Sequence, residues 1–438
     1  MQSYHIKLLT LLLTTLPAFA IAQTAYDTLV AERAAEIEDK VIAWRRDIHQ
    51  HPELSNRETR TAALVAEHLN ALGLEVQTGV AHTGVVAVLR GGRPGPTVAL
   101  RADMDALPVE ERTGLPYAST VRTTYNGLDV GVMHACGHDN HVAILMGAAE
   151  VLTSMRDDIP GTIKFIFQPA EEGAPQGEDG GAKMMIDEGT LESPDVEAIF
   201  GLHISQSLAA GEAGYRALGM MASAQTYWIS IHGRQTHGAR PWQGIDPVVV
   251  GAQIVMGLQT IISRQVDVTL APAVITVGTF HGGQRFNIIP DTVELSGTIR
   301  TFDADMRAQI HERMHRTVQS IAEAGGARAE LTIDPGVPVT YNHAELTAQM
   351  GPSLNRIYGG DKVFETPRIT GAEDFSFFQE EVPGFYFYIG GRPPEIPASE
   401  AIPNHSPLFY VDESALLSGV RAMSTLPLDY LSQRLEQN

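Results

Sequence analysis

The feature that most restricts how this chain can fold is the alternation of near-continuous apolar strands with helical stretches between "TGVVAVLRGG" and "VEAIFGLHI", residues 83–204. Within it "PTVALRADMDAL" and "GTIKFIFQPAEEG" read as strands, and "NHVAILMGAAEVLTSM" and "GGAKMMIDEG" as helices. A strand that is apolar on both sides is covered on both faces. That is the condition of a mostly parallel sheet flanked by helices, an α/β architecture. Upstream, "YDTLVAERAAEIEDKVIAWRRDIHQHPE" carries apolar residues at helical spacing and stops at His51-Pro52, and a second helix is expected over residues 57–72.

The pattern changes between residues 217 and 332. A strand in "TYWISIHG", a helix in "DPVVVGAQIVMGLQTIISRQ", strands in "AVITVGTFHGG" and "TVELSGTIRTF", a helix in "MRAQIHERMHRTVQSIAEAGG" and a strand in "ARAELTID" follow one another. That order is the ferredoxin-like α+β unit. "FETPRITGAEDFSFF" and "GFYFYIGG" then resume as short buried strands. The expected organisation is a first domain built from residues 23–216 and 333–438, interrupted by an inserted domain at 217–332.

The first 22 residues, "MQSYHIKLLTLLLTTLPAFAIA", have the layout of a secretory signal peptide: a short basic opening, an apolar run and small residues at the exit. The expectation is an exported protein, periplasmic or secreted, with no membrane attachment after cleavage. A net charge of -21 and a pI near 5.1 argue against nucleic acid and anionic membranes as partners, since both need clustered Lys and Arg. In an oxidising compartment a single thiol is a liability unless it is buried or coordinated. Cys136 is the sole cysteine, and it sits in "MHACGHDNH".

Groups able to bind metal cluster at predicted strand ends. "VALRADMD" ends at Asp103 and Asp105, "IKFIFQPAEE" at Glu171 and Glu172, and "AIFGLH" at His203. In open α/β sheets the ligand crevice lies beyond the carboxyl ends of the strands, so these sets are expected to face one cleft. Cys136 and His138 lie just before a helix expected to start near Asn140 or His141, where the terminal dipole favours a thiolate. Thiolate and imidazole suit zinc, and carboxylates suit manganese as well. His405 in "IPNHSP" is a further candidate. The adjacent acids fit a division of labour, one holding metal while its neighbour moves a proton from water to a leaving amine.

In this order "RADMDALPVEE", "MHACGHDNHVAILMGAA", "FQPAEEG", "GLHI", "HGARP", "NIIPDTVELSGTIRTFD", "GAEDFSFF" and "NHSP" resemble the metal-dependent N-acyl-amino-acid amidohydrolases, which include hippurate hydrolases and indole-acetyl-amino-acid hydrolases. These sit within the wider aminoacylase, acetylornithine deacetylase and carboxypeptidase superfamily. The resemblance implies two divalent metal ions per subunit, zinc or manganese, with cobalt or nickel as further candidates. By motif position their ligands are Cys136, His138, Glu172, His203 and His405. It implies Glu171 as general base and acid, and Asp105 as a carboxylate orienting a ligand. His237 would reach the scissile carbonyl from the inserted lid or dimerisation domain, from its own or a partner subunit. Asn287 and Arg300 would hold the substrate's carbonyl or carboxylate. The implied substrate is a small N-acyl amino acid, with dipeptidase or carboxypeptidase action by the same machinery as the alternative, and a homodimer is implied as well. The chain departs from the pattern in "EEGAPQGEDGGAK", where extra residues follow the acid pair near the cleft.

Two rival readings remain. A cysteine nucleophile with His134, His138 or His141 as base leaves Asp103, Asp105, Glu171 and Glu172 unexplained. A non-catalytic binding protein does not need the spare acid Glu171. His49 and His51 are read as a helix end, His311 and His315 as surface, and Asp139 and His141 as residues that order the helix start or the cleft wall.

Overall fold

The computed structural model describes residues 18–437. Residues 1–17, the basic and apolar part of the expected signal segment, lie outside the described residues, and residues 18–22 open the helix Ala18–Glu36. Among the described residues an eight-stranded sheet forms the centre. Its four middle strands, in spatial order Pro160–Gln168, Arg93–Asp103, Val196–Ala209 and Gly384–Arg392, are parallel. The outer strands Gly84–Arg90 and Glu75–Val80 on one side, and Ala213–Tyr215 on the other, run antiparallel to their inner neighbours. Local sequence explains the difference. Phe165 to Phe167 and Phe385 to Ile389 are buried without a break, whereas the edge strand Glu75–Val80 is mostly exposed.

Both faces are covered. The helix His138–Ser154 packs with Ser414–Gln437 and Glu38–Gln50 on one face, around Ile144, Leu145, Phe165, Phe387 and Leu426. The short helices Gly181–Asp187 and Phe375–Glu381 cover the other, around Ile166, Ile199, Met185, Phe375 and Tyr386.

Three local expectations change. "GAEDFSFF" is not a strand: only Val363–Glu365 is extended, and Phe375–Glu381 is helical because Phe375 and Phe378, three apart, share its buried side. His203 does not end its strand, which continues to Ala209 because Gly384–Arg392 stays paired with it beyond the point where Arg93–Asp103 has stopped. The helix after Cys136 begins at His138, since Gly137 at φ 100° forms the turn into it. A Cβ at Gly137 would stand 2.2 Å from Ile204 Cγ2, so the close approach also requires glycine.

Residues from Gln225 to Ile333 build a separate four-stranded antiparallel sheet in the order Ala273–Gly282, Thr292–Thr301, Gln225–His232, Arg328–Ile333, with its own hydrophobic cluster. That is ferredoxin-like strand order. Asp246 and Asp303 cap its two helices by accepting from Val248, Val249 and Met306 amides. By length and composition the helix Pro247–Arg264 is apolar enough to cross a membrane, but it packs Val250, Ile254, Leu258 and Ile261 into this cluster.

Candidate metal centre

The middle strands deliver the candidate donors to one place. Asp103 ends its strand, Asp105 follows two residues on, and the acid pair follows Gln168 after the Pro169-Ala170 turn. Ala170 is in the left-handed region, at φ 54°. Such a conformation in a non-glycine residue must be held from outside. Here two buried carboxylates hold it. Glu58 accepts from the Ala170 amide at 2.9 Å, and Asp105 accepts from the amides of Glu171 and Glu172 at 3.1 and 3.0 Å. Ser55 donates to Asp105 at 2.7 Å and Thr83 to Glu58 at 2.6 Å.

The thiol of Cys136 lies 3.3 Å from His203 Nε2 and 3.3 Å from His405 Nε2, and His405 Nε2 is 3.0 Å from Glu172 Oε1. On the other side of the acid pair, His138 Nε2 is 3.8 Å from Glu171 Oε2. The segment carrying His405 is tied down by its amide, which donates to Ala135 O at 2.7 Å, and by Asn404, which donates to Cys136 O at 2.9 Å.

The donor set fits a pair of divalent transition metals. His203 Nδ1 donates to Ile204 O at 2.7 Å, and because a carbonyl only accepts, Nε2 carries the free lone pair. His138 Nδ1 faces Asp105 at 3.2 Å, and its Nε2 is buried with no hydrogen-bond partner. Glu172 Oε1 is likewise buried without a hydrogen bond, although His405 Nε2 is close by. Buried polar atoms left unpaired cost about 1–3 kcal/mol each, and a cation bound by them as lone-pair donors removes that cost. Cys136, His138 and His203 form one group with mutually close donors, Cys136, Glu172 and His405 a second, and His138, Glu171 and Glu172 a third.

Electrostatics set Glu171 apart. Burial, reinforced by Glu373, Glu172 and Asp374, pushes the Glu171 carboxyl well above the carboxylate range. A carboxyl so placed takes up and holds a proton readily. Burial also pushes the Cys136 thiol up, with His138 and His405 working against it. Desolvation at this depth works against the thiolate expected at the helix terminus, so a thiolate here requires a positive partner.

Behind the donors lies a buried network that sequence reading missed. Arg101, fully buried, donates to Gln168, Asp103, Glu373 and Asp374 at 2.7 to 3.0 Å. Tyr386 donates to Glu373 at 2.5 Å, and the Gln168 amide donates to Asp374 at 2.7 Å. The one available signal was an arginine inside the otherwise apolar run "VALRAD". A second network corrects the reading of His49 as a mere helix end: it is buried, 2.9 Å from Asp139, and Arg45 donates to the same carboxylate at 2.9 Å. His51 is exposed. Asp139 thus orders the start of the metal-site helix. His141 is 2.5 Å from Asp103 and accepts from the Ile204 amide, so it braces the cleft wall. His134 is buried, and neither ring nitrogen has a hydrogen-bond partner, Cys136 included.

A cleft of about 540 Å³ opens over the centre, lined by Cys136, Glu171, Glu172, His203 and His405 from the large sheet and by Arg300 from the four-stranded one. His237 and Asn287 do not line it. They sit together on the Thr236–His237 ribbon, where the Gly238 amide donates to Asn287 O at 2.9 Å, and His237 is exposed.

Comparison with known proteins agrees with this geometry. The chain is 44% identical over 397 residues to thermostable carboxypeptidase 1 of Saccharolobus solfataricus, covering 90% of this chain and 96% of that one. It is 43% identical over 310 residues to an N-acyl-L-amino acid amidohydrolase of Geobacillus stearothermophilus, covering 71% and 80%. The crystal structure of the Bacillus subtilis YXEP protein, described as a dinuclear metal-binding peptidase, superposes with a TM-score of 0.76 at 34% identity, covering 91% and 99%. Residues 99–429 match the model of peptidase family M20/M25/M40. Strand-end donors, a paired acid and this match together make the chain a metal-dependent hydrolase that belongs to peptidase family M20/M25/M40.

Proposed function

We propose that the protein hydrolyses the amide bond between an acyl group and an amino acid. The observation that carries this reading is the acid pair Glu171-Glu172 beside Cys136, His138, His203 and His405, with Arg300 lining the same cleft. Cys136, His138, Glu172, His203 and His405 would hold two divalent ions, which when bound supply Lewis acidity and make water acidic enough to be deprotonated near neutral pH. Glu171 takes the proton of that water. After attack on the acyl carbonyl it returns the proton to the departing amine, which leaves neutral. Burial and the neighbouring acids favour the protonated carboxyl, so the proton taken from water stays on Glu171 until the departing amine accepts it.

Asp105 orients His138 by facing Nδ1, and together with Glu58 it fixes the backbone that aims Glu171. Arg300 is assigned to the free α-carboxylate of the amino acid, since a guanidinium can pair with both oxygens in one plane. His237 and Asn287, away from the cleft of their own chain, are assigned to the carbonyl of a substrate bound by a second subunit, in a homodimer formed through the inserted sheet. The layout of residues 1–22 supports export to the periplasm or beyond, and amino-terminal sequencing of the secreted chain would give a start near residue 21 or 23 if so.

The relative named a carboxypeptidase supports a second reading, release of the last residue of a short peptide by the same groups. Metal-loaded protein assayed for free amino acid against N-acyl amino acids and dipeptides separates the two. Turnover of blocked acyl substrates above dipeptides is the expected result, and turnover of dipeptides alone would replace the first reading by the second.

A further inference from the structure

The strand Gly384–Arg392 carries Tyr386 and Tyr388 on one face of the sheet, while Phe385, Phe387 and Ile389 turn into the hydrophobic cluster on the other. The two hydroxyls have different fates. Tyr386 donates to Glu373 at 2.5 Å. Tyr388 is 6% exposed and lines the cleft over the metal centre, and no hydrogen bond engages its hydroxyl among the described residues. A buried phenol ordinarily finds a partner. This one still has its hydrogen to give. We infer that Tyr388 is a catalytic residue, whose hydroxyl donates a hydrogen bond to the substrate oxygen that becomes negative when water adds to the acyl carbon. The inference rests on the reading of the protein as an amide hydrolase.

Placement and competition argue for that role. Tyr388 is paired with His203 across two parallel middle strands, and their rings lie 6.2 Å apart. A side chain on such a strand is held more precisely than one on a loop. Burial, followed by the charges of Glu373, Cys136 and Glu171, pushes the phenol up, so it keeps its proton and acts as a donor. Those three neighbours also place it at the reacting end of the cleft. Glu373 does not compete for the hydroxyl, because it already accepts from Arg101 at 2.9 Å, from the Phe375 amide at 2.9 Å and from Tyr386. Other neutral donors lining the cleft are engaged. Asn404 donates to the carbonyls of Cys136 and Ile204 at 2.9 and 3.3 Å, and Ser205 is paired with Ser207 at 2.7 Å.

The chemistry gives a free donor its use. As the oxygen of water bonds to the acyl carbon, the carbonyl π pair moves onto the carbonyl oxygen. When the carbon–nitrogen bond breaks, that pair returns and the carbonyl re-forms. The negative oxygen exists only between these two events, so a fixed neutral donor aimed at it stabilises the transition state more than the substrate. The phenol proton stays on Tyr388 throughout, and Glu171 still carries the proton from water to amine.

The test is Tyr388→Phe, which keeps the ring beside His203 and removes the donor alone. On the metal-loaded variant with one N-acyl amino acid, kcat should fall by about a hundredfold, the usual effect of losing one oxyanion donor, with KM within about threefold of the parent. Metal content by elemental mass spectrometry should equal the parent's. Calorimetry gives a second readout, with a phosphonate analogue whose charged tetrahedral oxygens imitate the intermediate, and with the uncleaved substrate on Glu171→Gln. Adding Tyr388→Phe should weaken the analogue by about the factor lost in kcat/KM and leave the substrate within about threefold. A kcat within about threefold of the parent, a loss confined to KM, an equal loss for analogue and substrate, or a loss of metal overturns this role for Tyr388 and leaves the hydrolase reading intact. A metal-loaded parent that turns over neither N-acyl amino acids nor dipeptides overturns the amide-hydrolase reading, and the role of Tyr388 with it.

Discussion

The floor of the cleft and the wall that faces it differ in how firmly each reactive group is held. On the floor, His138, Asp103 and Asp105 are buried, and each has a partner that fixes its orientation. On the facing four-stranded sheet Arg300 is half-buried, with burial lowering its affinity for a proton, and His237 is exposed. The contrast matches the two demands of a hydrolase. Groups that share a proton or a metal must stay within fractions of an ångström, whereas groups that greet substrate must be reachable from water. It also means that floor substitutions should affect chemistry or folding, and wall substitutions mainly substrate affinity.

Glu171→Gln is the sharpest way to break that division. Loss of about 10⁴-fold in kcat is expected, with metal content by elemental mass spectrometry equal to the parent. A kcat within tenfold of the parent would remove Glu171 from proton transfer. Next in size is Arg101→Met. It leaves Asp103, Glu373 and Asp374 without their shared cation, a change expected to destabilise by about 3–5 kcal/mol in denaturant titrations. An unfolding midpoint like the parent's would mean that the network is not needed for the floor's rigidity.

Arg300→Ala tests the wall. KM for an N-acyl amino acid should rise roughly ten- to a hundredfold, the equivalent of about 1.5–3 kcal/mol for a charged hydrogen bond, with kcat and metal content nearly unchanged. A fall in kcat at constant KM would place Arg300 with the floor instead. The smallest expected effect is Glu58→Gln, which keeps one acceptor for the Ala170 amide. A stability loss of about 1 kcal/mol is expected, while Glu58→Ala should lose more and lower kcat as well. Equal behaviour of the two variants would show that the strained Ala170 turn does not depend on that hydrogen bond.

Much of the fold and of the donor set was legible from local pattern. Continuous apolar runs identified the inner strands, the βαββαβ order identified the four-stranded sheet, and donors at strand ends pointed to one cleft. His203 shows where that logic was incomplete. The strand does not stop there: its pairing with Arg93–Asp103 ends at Gly201, two residues before His203, while the strand itself runs on to Ala209. Likewise local pattern places Phe375 in a strand, because an apolar pair three apart in a short segment has too few repeats to reveal a helical period.

The sequence by itself determined the residue types of the candidate metal centre, the class of the fold and the presence of an adjacent acid pair, because each is written in local spacing. Only the tertiary structure decided that burial raises the proton affinity of Glu171, that Arg101 is joined to Glu373 across 272 positions, that His237 stands clear of its own cleft, and that Glu172 lines two cavities. The physical reason is range. Hydrophobic period and capping act over a few residues, whereas desolvation and charge pairing depend on what the folded chain brings within a few ångströms, whatever the distance along the sequence.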